Sequence, residues 1–191
     1  RGQLFKNTVY FDIAIYRMNV KNLLVARRTS NDEYMGVNAG KTQYNGLEFT
    51  LKNTFIKTKN ITLFGFHSFA YNDFKFKKFI DDSNDYSNNL LTGVPKLTYN
   101  ATIGLESLNG FYTSVNYSFV GEIPLRDNNS VYSDEYQIIN TQFGYQSNTN
   151  NNFQYNFLVG INNLTNSKYA SMLLINAGSF GGNKPRYYYP G

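Results

Sequence analysis

The chain has 191 residues and a formal net charge of +5 at pH 7, with 16% charged and 17% aromatic residues. It has no cysteine, which excludes a disulfide framework and thiolate metal sites. The positive charges are dispersed along the chain, so no nucleic-acid partner is expected. The length suits a single domain.

Seven stretches of the chain alternate apolar and polar residues, which is the pattern of β-strands with one apolar face. In the second stretch, Leu47, Phe49 and Leu51 alternate with polar residues. No segment has the apolar spacing of a helix, and no apolar run reaches the roughly 18 residues of a spanning helix. The predicted strands are Asn7–Asn19, Lys41–Asn53, Asn60–Asn72, Lys96–Ser107, Phe111–Gly121, Tyr136–Gln146 and Asn152–Asn163.

The connectors between these strands are alternately long and short. The long ones are Val20–Gly40, Asp73–Pro95, Glu122–Glu135 and the segment from Leu164 onward; the short ones are Thr54–Lys59, Leu108–Gly110 and Ser147–Asn151. Transmembrane β-barrels have long outer loops and tight periplasmic turns, whereas a soluble sandwich has no such fixed alternation. The sequence therefore predicts an all-β fold, an antiparallel transmembrane β-barrel segment of about seven strands in the outer membrane of a Gram-negative bacterium.

Aromatic residues concentrate near the predicted strand ends, where rings favour the interface between headgroups and hydrocarbon. The alternative is the core of an ordinary sandwich, since aromatics are frequent in any strand. The loop alternation favours two aromatic girdles. Their predicted members are Tyr16, Phe55, Tyr71, Tyr99, Phe119, Tyr136, Tyr145 and Phe153.

Enzymatic chemistry finds little support in the sequence. The single histidine, His67, is next to Ser68, but adjacent strand residues point to opposite faces and cannot pair as base and nucleophile. Phosphate-loop, dinucleotide and histidine-rich metal motifs are absent. We therefore predict no enzyme activity, no metal site and no cofactor, and we expect His67 to face the lumen or the interface.

The predicted outer loops carry basic and tyrosine side chains that together could hold an anionic ligand. Arginine and lysine supply charge-assisted hydrogen bonds, and tyrosine supplies ring stacking. The alternative role of each residue is to keep its loop soluble. The candidate ligand-binding residues are Arg27, Arg28, Tyr34, Lys75, Lys77, Lys78, Tyr86, Arg126 and Tyr132.

Three motifs resemble TonB-dependent outer-membrane receptors, particularly those of the Bacteroidetes group and of the branch that takes up iron complexes. The run from Tyr34 to Glu48 resembles their late-barrel motif, the run from Gly160 to Tyr169 the motif after their penultimate strand, and the run from Pro185 to Gly191 the approach to their final strand. The order and separations match over essentially the whole chain. The residues that carry the resemblance are Asn38, Gly40, Gly46, Leu47, Glu48, Asn162, Asn163, Leu164, Asn166, Tyr169, Pro185 and Arg186.

The resemblance implies that residues 1–191 are the C-terminal portion of a 22-stranded plugged barrel, with the plug domain and the closing strand absent from this chain. It implies active uptake of a scarce ligand, with a ferric siderophore complex as the first choice. The implied partners are TonB (through an N-terminal region), outer-membrane lipid and, in some relatives, a surface lipoprotein. The motifs are architectural: Gly46 permits close strand packing or a bend, and Asn162, Asn163 and Asn166 can hydrogen-bond a turn.

Two other classes of protein remain open at the level of sequence. The first is a small outer-membrane adhesin or structural barrel, which would have a complete and even set of strands. The second is a soluble all-β binding module that uses its long loops for recognition. The odd strand count and the missing closing strand favour the receptor.

Overall fold

The structure is a computed structural model that describes residues 1–6, 8–22, 24–28, 33–38, 40–81, 83–147, 153–179 and 183–190. All its regular elements in these ranges are strands. They are β1 (Gly2–Leu4), β2 (Val9–Lys21), β3 (Leu24–Arg28), β4 (Tyr34–Asn38), β5 (Lys41–Lys57), β6 (Ile61–Lys78), β7 (Ile80–Asp81), β8 (Asn84–Asp85), β9 (Leu97–Ser107), β10 (Phe111–Val120), β11 (Tyr136–Gln146), β12 (Asn156–Ile161), β13 (Ala170–Leu173) and β14 (Tyr188–Pro190).

Eight strands form one antiparallel sheet in the order β1-β2-β5-β6-β9-β10-β11-β12. Each strand pairs with the next one of the sheet along the chain, so the sheet is a meander. The predicted all-β antiparallel fold is confirmed, and the seven predicted strands correspond to β2, β5, β6, β9, β10, β11 and β12. The short strand β1 is an eighth member that the sequence pattern did not reveal. The predicted odd number of strands is therefore wrong, and strand count does not favour a receptor over a small complete barrel. Among the described residues, β1 and β12 remain the two open edges.

The strand register gives the sheet an apolar face and a polar face. One row of paired residues runs Ile13, Phe49, Phe69, Tyr99, Phe119 across five strands. The neighbouring row on the opposite face includes Thr50, Ser68, Asn100 and Ser118. Side chains on the apolar face are freely accessible in the isolated chain, with Ile15 81% and Val159 72% exposed. An exposed apolar face next to a polar one is the arrangement of a membrane barrel, in which the apolar side chains contact lipid.

The apolar band has the height of a membrane. On β6 it runs from Ile61 to Tyr71, about 33 Å along the strand. A strand tilt of 35–45° reduces this length to about 25 Å, the usual height of the lipid-facing band of outer-membrane barrels. His67 lies inside this band, on the apolar face rather than in the lumen, and its Nδ1 is 2.8 Å from the Tyr99 hydroxyl oxygen. This hydrogen bond satisfies two polar groups that would otherwise face lipid.

Two of the predicted girdle residues do not face lipid. Tyr16 pairs with Gly46, and Tyr136 pairs with Val120, and both pairs belong to the polar face. Tyr71, Tyr99, Phe119 and Tyr145 lie on the apolar face, as expected. The position of an aromatic residue near a strand end therefore does not fix its face; the register does.

The connectors separate to the two ends of the sheet. The short ones lie at one end, and the long ones lie at the other, which we call the long-link end. Three of the long connectors contain hairpins of their own, β3–β4, β7–β8 and β13–β14. Among the described residues, no helix is long and apolar enough to cross a membrane. The alternation of connector length in the sequence is thus an alternation between two ends of the molecule.

Three glycines on the polar face each lie beneath an aromatic ring of the neighbouring strand. A Cβ atom at any of these positions would overlap the ring, so only glycine admits the contact. The ring covers backbone that glycine leaves open, as aromatic residues do for strand glycines in designed sheets. The pairs are Gly46 with Tyr16, Gly104 with Phe64, and Gly144 with Tyr112.

Candidate ligand-binding surface

The long-link end carries the buried core of the described chain. Phe76, at the end of β6, packs with Phe79 and Leu91 of the following link, and all three are less than a tenth exposed. Tyr86, one of the candidate ligand residues, packs against this cluster, with its ring centroid 5.4 Å from that of Phe79. The link that follows β6 is therefore anchored to the sheet.

A carboxylate joins three of the long links. Asp127 accepts hydrogen bonds from the Thr92 hydroxyl and from the Asn176 side-chain amide, the latter at 3.0 Å. The Asn176 side-chain oxygen in turn accepts the Asp127 N–H at 3.1 Å. Asn129 bonds both the N–H and the C=O of Leu90, at 2.7 and 3.0 Å. The links after β6, β10 and β12 therefore form one hydrogen-bonded body, which we call the loop cap.

Arg126 is held inside the loop cap. Its Nε donates to the Tyr187 hydroxyl, its Nη2 donates to the Ala177 carbonyl at 3.5 Å, and its guanidinium carbon is 5.7 Å from the centroid of the Tyr187 ring. These contacts orient the guanidinium and use part of its hydrogen-bonding capacity. An incoming anion would meet an arginine that is already positioned.

An aromatic cleft of about 220 Å³ opens beside the loop cap. Tyr136 and Tyr169 stack with centroids 5.2 Å apart, and Tyr188, Asp134 and Lys168 complete the walls. Burial raises the pKa of Tyr188, and the neighbouring Asp134 raises it further, so the phenol is neutral at physiological pH. Its hydroxyl donates to the Tyr132 carbonyl at 3.3 Å. The cleft combines ring faces with the carboxylates of Asp134 and Glu135 and the ammonium of Lys168, which suits a ligand that is both aromatic and polar.

The nine candidate ligand residues are not brought together in one site. Lys75 and Lys78 lie on the apolar face, beyond the band. Lys75 forms an ion pair of 2.8 Å with Asp73. Lys77 is exposed and lies in a bulge of β6, between Phe76 and Lys78, which pair with β5. Tyr132 is 37% exposed.

The remaining candidates cannot be placed to the same extent. The backbones of Arg27, Arg28 and Tyr34 belong to the β3–β4 hairpin, and their side chains lie outside the described part of the structure. Of the nine, Arg126 and Tyr132 contact the aromatic residues around the cleft.

Sequence reasoning missed the principal cleft residues as ligand candidates. The sequence pattern places Tyr136 in a girdle and Tyr169 in an architectural motif, and it does not single out Tyr188. The available signal was the density of tyrosines at the start of β11 and in the segment after β12. Their convergence depends on the return of that segment across the loop cap, which the strand pattern does not encode.

The motif asparagines form a compact turn after β12. Asn163 has a φ of 51° and Asn166 a φ of 52°, a backbone region in which asparagine is readily accommodated. The Asn163 side chain accepts the Ser167 N–H at 2.8 Å and donates to the Ser167 carbonyl at 2.9 Å. The turn directs the chain from the edge strand back toward the cleft.

The arrangement defines a class of protein: a portion of an outer-membrane β-barrel with an elaborated outer end. The family model described as TonB dependent receptor-like, beta-barrel, matches residues 1–164. The chain therefore belongs to the TonB-dependent receptor β-barrel family, whose members are Gram-negative outer-membrane proteins and transporters rather than enzymes.

Solved receptors share the fold at low sequence identity. The siderophore receptor PiuA from Acinetobacter baumannii is 19% identical with a TM-score of 0.62, over 88% of this chain and 23% of that one. BauA, the ferric preacinetobactin receptor from the same species, is 17% identical with a TM-score of 0.66, over 98% and 26%. The ferric-catecholate import receptor Fiu from E. coli K12 is 14% identical with a TM-score of 0.65, over 99% and 24%. The chain thus spans about a quarter of each receptor.

Proposed function

We propose that residues 1–191 are the C-terminal portion of the barrel of a TonB-dependent receptor that takes up a scarce ligand across the outer membrane. The observation that carries the proposal is the sheet itself: a membrane-high apolar face, with every long link at one end, in a chain that the receptor family model matches. The plug and the segment that engages TonB belong to other parts of the full-length protein. Resemblance to the Bacteroidetes members of the family also leads us to propose a surface lipoprotein as a partner in ligand capture.

The ligand is of the ferric siderophore class in this proposal. Its support is the nature of the three similar receptors, each described as a receptor for a siderophore or a ferric complex. The chain contributes a cleft with stacked tyrosines and a positioned arginine nearby, which suit the aromatic, oxygen-rich groups that chelate iron. Arg27, Arg28, Tyr34, Lys77 and Tyr132 are proposed as further contacts from the surrounding links.

Uptake of radiolabelled iron tests this function. A strain that lacks the gene of the full-length protein should grow poorly under iron limitation when a ferric siderophore is the only iron source, and the intact gene should restore growth and uptake. Uptake should disappear when TonB is depleted, because the plug is moved by the proton gradient through TonB. Iron uptake that is unchanged without the gene, with a set of catecholate and hydroxamate siderophores, would contradict the ligand class.

A further inference from the structure

Three lysines lie side by side at the long-link end of the apolar face. Lys21, Lys41 and Lys78 are partners in one register row across β2, β5 and β6. All three are exposed, and none forms an ion pair with another described residue. Like charges directly opposite one another on neighbouring strands are destabilising. This row is therefore unfavourable unless an anion offsets its charge.

The lysine row borders a formed pocket of about 330 Å³. Its other walls include Asn22, Asn38 and Gly40. The Asn22 N–H donates to the Gly40 carbonyl at 2.6 Å, and the Asn38 side-chain oxygen accepts the Gly40 N–H at 2.8 Å. Gly40 has a φ of 63°, and a Cβ there would overlap the Lys78 carbonyl. Hydrogen bonds thus fix the backbone that forms the pocket, and ammonium and amide groups line it.

Further cations connect this pocket to the apolar band. The last apolar row is Ile15, Leu47 and Tyr71, and the Lys96 ammonium is 5.6 Å from the centroid of the Tyr71 ring. Arg17 lies in the next row, about 5 Å above the band after allowance for strand tilt.

The lysine row is about 15 Å above the band by the same measure. Between the band and that row, the described carboxylate on this face is Asp73. The hydrogen bond from Lys75 holds the pKa of Asp73 below its usual value, so this carboxylate is ionised at neutral pH and is offset by the Lys75 ion pair. We call the cations on this side, from Lys96 and Arg17 through Lys75 to the lysine row, the cationic stripe. It keeps a net positive charge from the membrane edge to the pocket.

We propose that this stripe binds the phosphorylated headgroup of a glycolipid of the outer leaflet, with lipopolysaccharide as the occupant. The stripe is on the lipid-facing side of the sheet and is continuous with the band, so its natural partner is anchored in the same leaflet. Cations at two heights, about 5 and 15 Å above the band, match a large headgroup with phosphates on more than one sugar. The inference rests on the proposed outer-membrane location, and it assigns Lys78 to lipid rather than to the transported ligand.

Lipopolysaccharide binding by the full-length receptor tests the proposal. The variant Lys21→Gln/Lys41→Gln/Lys78→Gln removes the row, and Lys6→Gln/Lys57→Gln/Lys59→Gln removes the same charge at the short-link end. Affinity is measured at low salt in mild detergent with lipopolysaccharide, with its dephosphorylated form and with inorganic phosphate. A surface lysine contributes about a factor of five toward an anionic lipid surface, so we expect roughly a hundredfold loss for the first variant and little for the second.

Folding and outer-membrane location of each variant are checked separately by heat-modifiability and by fractionation. Equal losses in both variants, or equal binding of the dephosphorylated form, would overturn the inference. A pocket that binds inorganic phosphate as tightly as lipopolysaccharide would overturn the assignment to lipid. A wild-type receptor found outside the outer membrane would contradict the proposed function instead.

Discussion

Gly46 lies beneath the ring of Tyr16, and the contact leaves no room for a side chain. We predict that Gly46→Ala destabilises the full-length barrel by about 1–3 kcal/mol, because the ring must leave its position or the strands must shift. Urea unfolding in lipid vesicles, followed by heat-modifiability on gels, measures the difference.

Gly160 supplies the matched control for Gly46. A Cβ at this position would be 3.6 Å from the nearest atom, the Thr141 carbonyl oxygen, which is an ordinary contact. Gly160→Ala should therefore change the unfolding free energy by less than about 0.5 kcal/mol. Removal of the ring in Tyr16→Ala should also make Gly46→Ala less costly, since coupled neighbours are not additive. Equal costs at Gly46 and Gly160 would contradict the role of the ring.

At the scale of single residues, the sequence predicted the local backbone role of a residue better than it predicted which residues contact it. A glycine in a strand indicates close approach, and a run of asparagines after a strand indicates a turn, because both follow from local backbone geometry. The ring over Gly46 and the tyrosine beside Arg126 come from other strands and links. These contacts depend on register and on the path of the loop cap, which local patterns do not contain.

The elements were predicted best inside the membrane band. Tyr136–Gln146 matches β11, and the other predicted strands in the middle of the sheet agree closely, because lipid on one side imposes a strict alternation. The strand β6 runs six residues beyond its predicted end at Asn72. There the alternation reverses, with Phe74 and Phe76 on the polar face packed under the loop cap and Lys75 on the other. A strand that continues above the membrane loses the pattern by which it was recognised.

The loop cap gives a prediction for Asp127, whose carboxylate joins the links after β6, β10 and β12. Asp127→Ala removes the acceptor for Thr92 and for the Asn176 amide. Each hydrogen bond to a charged group contributes about 1.5–3 kcal/mol, so the cap should open locally while the strands stay folded. We expect proteases added to intact cells to cut these links several times faster.

The matched control is Asn128→Ala, which changes the neighbouring residue of the same link. Asn128 is exposed, and its side-chain oxygen accepts a hydrogen bond only from the nearby Ser130 N–H at 3.1 Å among its described contacts. Cleavage rates of this variant should remain close to those of the unmodified receptor. Equal protection of the Asp127 variant would show that the buried apolar cluster holds the links without the carboxylate.

At the scale of the whole molecule, the sheet has a membrane-facing side but two open edges among the described residues. Lipid provides no partners for unpaired backbone groups, so a stable barrel needs further strands beside β1 and β12. The similar receptors are consistent with this requirement, since the chain spans only about a quarter of the length of each. The fold class could be predicted from periodicity, whereas depth in the membrane requires the register of all the strands.

The depth of a lipid-facing residue in the membrane determines the cost of placing a charge there. Ile103 pairs with Gly65 and Val115 near the middle of the apolar band, whereas Leu47 lies in its outermost row. Arginine on the lipid face costs about 2–4 kcal/mol at the midplane and 0–1 near the interface. Ile103→Arg should therefore destabilise the full-length barrel in vesicles by the larger amount, and Leu47→Arg by the smaller.

Asn100→Arg is the control that adds the same charge to the opposite face of the sheet. Asn100 lies three residues from Ile103 along β9, about 8 Å away in depth but still inside the apolar band, and its register partners Ser68 and Ser118 place it on the polar face. The arginine would enter the water-exposed side, so the unfolding free energy should change by less than about 0.5 kcal/mol. If Ile103→Arg and Asn100→Arg cost the same, the assignment of the apolar face to lipid is wrong. If Leu47→Arg is as costly as Ile103→Arg, the facing is right, but the band extends farther outward than the row of Ile15, Leu47 and Tyr71, and the cationic stripe lies closer to the hydrocarbon.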